Sequence, residues 1–180
     1  MRKELRMSGQ GGQGAITLGY IFGRAAALYE NHNVIMTEAY GPEITGGFAR
    51  ADVAIADQEI EDPMVNNPDV LVVLSNEGWE MNGHLVKDDG KIIYENFLVD
   101  PKGAKAKTFG IPAIKEADKL GRRVVANVIM MGALQELTNI VSKESLEKAL
   151  LDRVPKGTEE LNLKALHRGY EIAAELGGTS

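Results

Sequence analysis

The residues best suited to chemistry come early: Ser8-Gly9-Gln10-Gly11-Gly12-Gln13-Gly14 follows a short apolar segment and leads into a helix-like stretch. A glycine turn between a strand and a helix points backbone N–H groups at whatever lies above the strand ends. Gly9, Gly11 and Gly14 fit the spacing G-x-G-x-x-G, in which bare glycines admit a pyrophosphate and the helix N-terminus supplies partial positive charge. Two readings stay open on this pattern: contact with an anion or cofactor, and simple turn geometry with close helix–sheet packing. Gln10 and Gln13 add amide donors and acceptors beside the turn, which suits a polar ligand or a partner's backbone. A dinucleotide site also needs an acid at the end of the second strand, about 20 residues on. Glu38, the available acid, comes later than that and runs into a further glycine loop, which weakens an NAD reading.

That further loop is Ala39-Tyr40-Gly41-Pro42-Glu43-Ile44-Thr45-Gly46-Gly47. The amides of Gly46 and Gly47 can form an anion-accepting concavity. Glu43 can accept a hydrogen bond from a ligand or partner, or cap local N–H groups after Pro42.

The elements that must position these loops follow from pattern. Glu4 to Ser8 predicts a first strand and Gln13 to Glu30 a helix. Gly19, Gly23 and Ala27 lie along one face of that helix and allow close approach to a sheet or another chain. Asn33 to Glu38 predicts a second strand. Arg50 to Ala56 predicts a third, antiparallel to a neighbour because it returns after a short loop. Val70 to Leu74 is continuously apolar, as in a strand buried on both faces. A helix from about Glu77 to Val86 and strands at Lys91 to Tyr94 and Thr108 to Pro112 follow. The C-terminal third is helical: an all-apolar stretch from Val128 to Leu134, with Asn127 read as its cap; a helix capped by Ser142 and ending near Arg153; and a last helix opened by Thr158 and closed at Gly177-Gly178. Strands alternating with helices predict an α/β three-layer sandwich with a mostly parallel, Rossmann-like sheet. The 180 residues suit a single domain.

Composition narrows the function. A net charge of −6 gives no electrostatic support to nucleic-acid or anionic-membrane binding. No apolar run approaches the roughly 20 residues that cross a bilayer, and Met1-Arg2-Lys3-Glu4 does not read as a signal peptide, so the expected compartment is the cytoplasm. With no cysteine, the chain offers no thiolate ligand for zinc or for an iron–sulfur cluster. His32, His84 and His167 are dispersed in polar surroundings and read as surface residues.

The two glycine loops together resemble the gamma subunit of 2-oxoacid:ferredoxin oxidoreductases, whose pattern is close to G-x-G-G-Q-G, then S-Y-G-P-E-x-R-G-G, then an alternating strand and a buried D-x-L-V-x-L-S strand. Asp69-Val70-Leu71-Val72-Val73-Leu74-Ser75 supplies the last of these. Gly110-Ile111-Pro112-Ala113 and Asn127-Val128-Ile129-Met130-Met131-Gly132-Ala133-Leu134 resemble later segments, so the likeness covers nearly the whole chain. Ala39 and Thr45 depart from the usual Ser and Arg, while Arg50 matches a basic position. The sister indolepyruvate oxidoreductase small subunit begins its second loop with His-Gly, whereas Tyr40-Gly41-Pro42-Glu43 favours the gamma subunit.

The resemblance implies an accessory, non-autonomous subunit of a complex that cleaves a 2-oxoacid, with 2-oxoglutarate favoured by overall likeness. Such a complex uses thiamine diphosphate and Mg²⁺, passes electrons through iron–sulfur clusters to ferredoxin, and captures the acyl group on coenzyme A. Its expected partners are alpha, beta and ferredoxin-like delta subunits, with none of these cofactors held by this chain alone and no catalytic residue supplied by it. The implied cofactor-side residues are Gly9, Gln10, Gly11, Gly12, Gln13, Gly14, Tyr40, Gly41, Pro42, Glu43, Gly46, Gly47 and Arg50, near coenzyme A. An isolated chain, missing its partners, can self-associate as a homodimer through an exposed interface. A free-standing NAD(P)- or flavin-binding oxidoreductase and a purely structural assembly module are the alternatives.

Overall fold

The computed structural model describes residues 1–43 and 46–177, so Thr45 and the Gly178 end of the last helix lie outside the described residues. Among the described residues six strands form one sheet: β1 (Arg2–Gln10), β2 (Asn33–Tyr40), β3 (Phe48–Ala56), β4 (Val70–Val73), β5 (Lys91–Glu95) and β6 (Lys107–Ile111). Their order is β2-β3-β1-β4-β5-β6. β3 is antiparallel to both β1 and β2, and β1, β4, β5 and β6 pair in parallel. Five strands therefore run one way and β3 alone runs against them, as its short return loop foretold.

Helices cover both faces. The helices are α1 (Ala15–Arg24), α2 (Asn76–Asn82), α3 (Ala113–Lys119), α4 (Ala126–Thr138), α5 (Lys143–Arg153) and α6 (Glu159–Glu175). β4 shows the layering residue by residue. Val70 and Val72 join the larger core with α1, α4, α5 and α6, while Leu71 and Val73 join a second core with Val86 and Val99 on the opposite face. Burial on both faces is why its sequence is an unbroken apolar run.

Small residues set how closely the layers approach. A Cβ on Gly19 would lie 2.8 Å from the Ala51 Cβ, and one on Gly23 would lie 3.3 Å from Val34 Cγ1. The expected glycine face of α1 is thus laid on β2 and β3. Between α4 and α6 the contact is closer still: a Cβ on Gly132 would overlap the Leu166 carbonyl, and one on Gly169 the Ile129 carbonyl.

Several boundaries differ from expectation for physical reasons. The first helix begins at Ala15 rather than Gln13, because Gly14 has φ 87°, a left-handed conformation that cannot continue a helix. It then widens into a π-turn at Ala25–Tyr29. β2 extends to Tyr40 and β3 begins at Phe48, so the second loop is shorter than predicted. The helix after β4 ends at Asn82 and tightens into a 3₁₀ turn at Gly83–Leu85. Asn127 is not a cap: Val125 holds that position without a side-chain bond, and Asn127 lies within the first turn of α4 against Gly14. Ser142 does cap α5, accepting from Ser145 N at 3.0 Å. α3 was not foreseen, because Pro112 drew the reading toward a strand end.

Candidate functional site

All five co-directional strands carry their C-terminal ends to one rim, and β3 begins there. The register sets Gln10 beside Phe48 and Tyr40 beside Ala49. The turn after β1 and the loop after β2 therefore meet. Gly11 N–H donates to the Gly47 carbonyl at 2.6 Å, and Gly41 N–H to the Phe48 carbonyl at 2.8 Å. A Cβ on Gly11 would sit 3.3 Å from Gly46 N, so a glycine there lets the loops approach to this distance.

Between the loops lies a cleft of about 620 Å³, walled by Gln10, Gly11, Gly12 and Gly14 on one side and Tyr40, Glu43, Gly46 and Gly47 on the other. Its floor includes the first turn of α1, Ala15–Thr17. Among the described residues no side chain caps that helix, and its first internal bond is Leu18 N–H to the Gly14 carbonyl at 2.9 Å. The N–H groups of Ala15, Ile16 and Thr17 thus have no acceptor within the helix and lie at the positive end of its dipole. The arrangement suits a ligand carrying negative charge.

The side chains divide by task. Gln13 is a strut: its Oε1 accepts from Gln10 N–H at 2.6 Å and its Nε2 donates to the Leu74 carbonyl at 2.8 Å. It ties the ends of β1 and β4 across the point where the strand order reverses, where ligands of open α/β sheets bind. Gly9 lies under it, with a Cβ there only 2.7 Å from Gln13 Oε1. Glu43 folds back between two glycines, where a Cβ on Gly47 would lie 2.5 Å and one on Gly41 2.7 Å from its Oε2. Pro42 is exposed at the loop tip. Tyr40 is 65% exposed and donates its hydroxyl to Glu38 Oε2 at 2.6 Å. That hydrogen bond, with burial second, pushes the hydroxyl above the usual phenol range. Its ring remains free to stack on a flat group. Arg50 does not border the cleft: it lies near Asp52, at 3.5 Å, on the sheet face away from α1. Glu38 is two strands from the glycine turn, since β3 intervenes between β1 and β2. At about 4.8 Å per strand, this removes it from the ribose position of a dinucleotide site.

Sequence reasoning missed the supports beneath the rim. Arg6, buried in β1, grips Asp52 of β3 through Nε–Oδ1 at 2.7 Å and Nη2–Oδ2 at 3.0 Å, and donates to the Val65 carbonyl at 2.6 Å. Asn82 accepts from Arg6 and donates to Ser8 Oγ at 3.0 Å, which fixes α2 under the start of the glycine turn. Buried Glu95 accepts from the N–H groups of Phe97, Leu98 and Ile114. It holds a rim turn on which Phe97 is 80% exposed, and Val124, 71% exposed, borders the neighbouring cleft with Glu95, Gln13 and Asn127. The alternating and apolar patterns gave no sign of Arg6 or Glu95, because each reads as an ordinary solvated charge until its strand is placed.

This α/β fold with paired glycine loops matches the pyruvate ferredoxin/flavodoxin oxidoreductase family over residues 4–172, and the chain belongs to that family as a gamma-type subunit. It is 47% identical to the 2-oxoglutarate synthase subunit KorC of Methanocaldococcus jannaschii, over 98% of this chain and 96% of the relative. It is 30% identical to the pyruvate synthase subunit PorC of the same organism, over 93% and 94%. Among solved structures, the gamma subunit of a keto/oxoacid ferredoxin oxidoreductase from Geobacter sulfurreducens PCA superposes with a TM-score of 0.86 at 35% identity, covering 96% of this chain and 99% of that one.

Proposed function

We propose that this chain acts as a single gamma-type domain in a 2-oxoglutarate:ferredoxin oxidoreductase, and that the cleft between its glycine loops forms part of the coenzyme A side of the active site. The higher identity to a 2-oxoglutarate synthase subunit than to a pyruvate synthase subunit supports the substrate. The observation that carries the site is the Gly11–Gly47 hydrogen bond, which joins both loops over the uncapped start of α1. The residues present fit a coenzyme A phosphate: orphan backbone donors on the floor, glycines that admit close approach, and an exposed Tyr40 ring at the mouth. Coenzyme A supplies the thiol that takes up the acyl group; this chain binds and orients its polar end. Thiamine diphosphate, Mg²⁺ and iron–sulfur clusters belong to the alpha, beta and ferredoxin-like delta partners, ferredoxin takes the electrons, and the complex works in the cytoplasm.

Reconstitution tests this reading. The chain alone turns over no 2-oxoacid, and adding it to its partners restores dye reduction that requires both 2-oxoglutarate and coenzyme A. Full activity of a complex lacking this chain would overturn the assignment. The exposed Phe97 and Val124 beside the loops favour a second reading, in which the rim serves assembly. Gly46→Ala, strained at φ 71°, separates the two. A raised KM for coenzyme A in an intact complex supports the first, and weakened assembly with unchanged KM supports the second.

A further inference from the structure

We propose that the free edge of β2 is a self-recognition surface, through which two copies of this chain pair antiparallel about a two-fold axis at Ile35, joining their sheets into one. β2 hydrogen-bonds to β3 on one side, and among the described residues no strand pairs with its other side. It is eight residues long, carries one charged residue, Glu38, and has no Lys, Pro or Gly. Edges that stay single are normally short, basic or broken by such residues. The opposite edge, β6, shows those protections: five residues, with an exposed Lys107 at its start and Gly110 within it. On β2, Val34, Ile35 and Met36 are only half-buried, with apolar surface still facing out.

The occupant follows from register. On any strand, successive residues point their N–H and C=O groups to alternate sides. Two copies of one edge can therefore pair only with a residue opposite itself, and allowed registers differ by two-residue slides. Centring on Ile35 sets Ile35 against Ile35, Val34 against Met36 twice and Asn33 against Thr37 twice. One position before β2, His32 of each copy falls opposite Glu38 of the other, so the one charge on the edge meets a histidine whose ring lies 3.7 Å from Glu30 of its own copy. Centring on Met36 places Glu38 against Val34, and centring on Thr37 places it against Met36. Centring on Val34 points it toward Glu30. Over Asn33–Thr37, the part of β2 that can pair with itself about this centre, only the Ile35 register sets apolar against apolar and polar against polar throughout, and a buried face specifies register in this way. Such a contact is isologous and closed, so it stops at a dimer.

The chain contains no cysteine, which makes the test direct. In full-length Ile35→Cys the two thiols face each other across the axis, with Cα atoms about 4.5–5.5 Å apart, within disulfide range. Mild oxidation should give a covalent dimer. In Thr37→Cys the thiols are four residues out of register, about 13 Å apart, and should stay unlinked. The unmodified chain should sediment at twice its monomer mass at high micromolar concentration, and Ile35→Lys, which opposes two ammonium groups, should halve that mass. Failure of Ile35→Cys to link, or linking of Thr37→Cys in its place, would overturn the proposal. So would a monomeric chain whose β2 amides become protected from hydrogen exchange only when other subunits are added, since the edge would then belong to a different partner. None of these readouts depends on turnover, so the catalytic reading stands or falls separately.

Discussion

At the scale of single residues, polarity in this protein is spent mostly on the backbone. Gln13 illustrates it: the sequence suggested an amide ready for a ligand, and the fold uses both its ends to join β1 and β4. A hydrogen bond of this kind contributes about 0.5–1.5 kcal/mol. Gln13→Ala should therefore lower stability by about 1–2 kcal/mol in urea unfolding. Gln13→Glu should cost more, because it keeps the acceptor for Gln10 N–H but turns a carboxylate oxygen on the Leu74 carbonyl. A Glu variant as stable as wild type would show that the strut is not formed in solution. Glu95 obeys the same logic, holding three backbone N–H groups that a capless turn would leave unpaired.

At the scale of elements, the crossing of α4 and α6 decides how compact the helical layer is. Replacing a helical glycine with alanine ordinarily gains about 0.8–1.0 kcal/mol of propensity. At Gly169 the added methyl overlaps the Ile129 carbonyl and crowds Gly132 Cα at 2.9 Å, and backbone cannot rotate away as a side chain can. Steric strain of about 1–3 kcal/mol then outweighs the propensity gain, so Gly169→Ala should lower the melting temperature. A rise in the melting temperature would mean the helices are further apart than described. The sequence made α4 legible as a buried helix, because its apolar residues go all round, and Ser142 announced α5 through its cap. It did not reveal the Gly132–Gly169 contact, because two glycines far apart in sequence carry no sign that their helices cross at that point. The buried face of α6 runs through Asn162, Ala165, Leu166, Gly169, Tyr170 and Ala173, with Leu163 at its margin.

At the scale of the molecule, charge ties together helices that are far apart in sequence. Glu116 of α3 accepts from Arg168 of α6 at 2.8 Å and from Lys119 at 2.8 Å. The Arg168 guanidinium first, then the Lys119 ammonium, holds its carboxyl below the usual carboxylate range. A depressed acid stabilises the fold above its unfolded-state pKa, and that contribution is lost as pH falls through the folded-state value. Unfolding free energy should therefore decline from about pH 5 downward, and Glu116→Gln should be less stable at pH 7 yet show a shallower decline. Equal acid slopes in the two proteins would remove Glu116 from this linkage. No helix among the described residues is long and apolar enough to cross a membrane. What the sequence alone determined was local: glycine turns after strands, the period of each element, the doubly buried β4, and motifs specific enough to mark a family. Those features depend on a few neighbouring residues, whose backbone freedom and spacing are visible in a row of letters. Tertiary structure decided what depends on distant pairs. It inserted β3 between β1 and β2, which moved Glu38 away from the glycine turn. It sent Arg50 to the far face, brought Gly47 onto Gly11, and placed the long β2 at an edge of the sheet. Pairing across a sheet is a choice among alternatives of similar local energy, and only packing of the whole chain selects one.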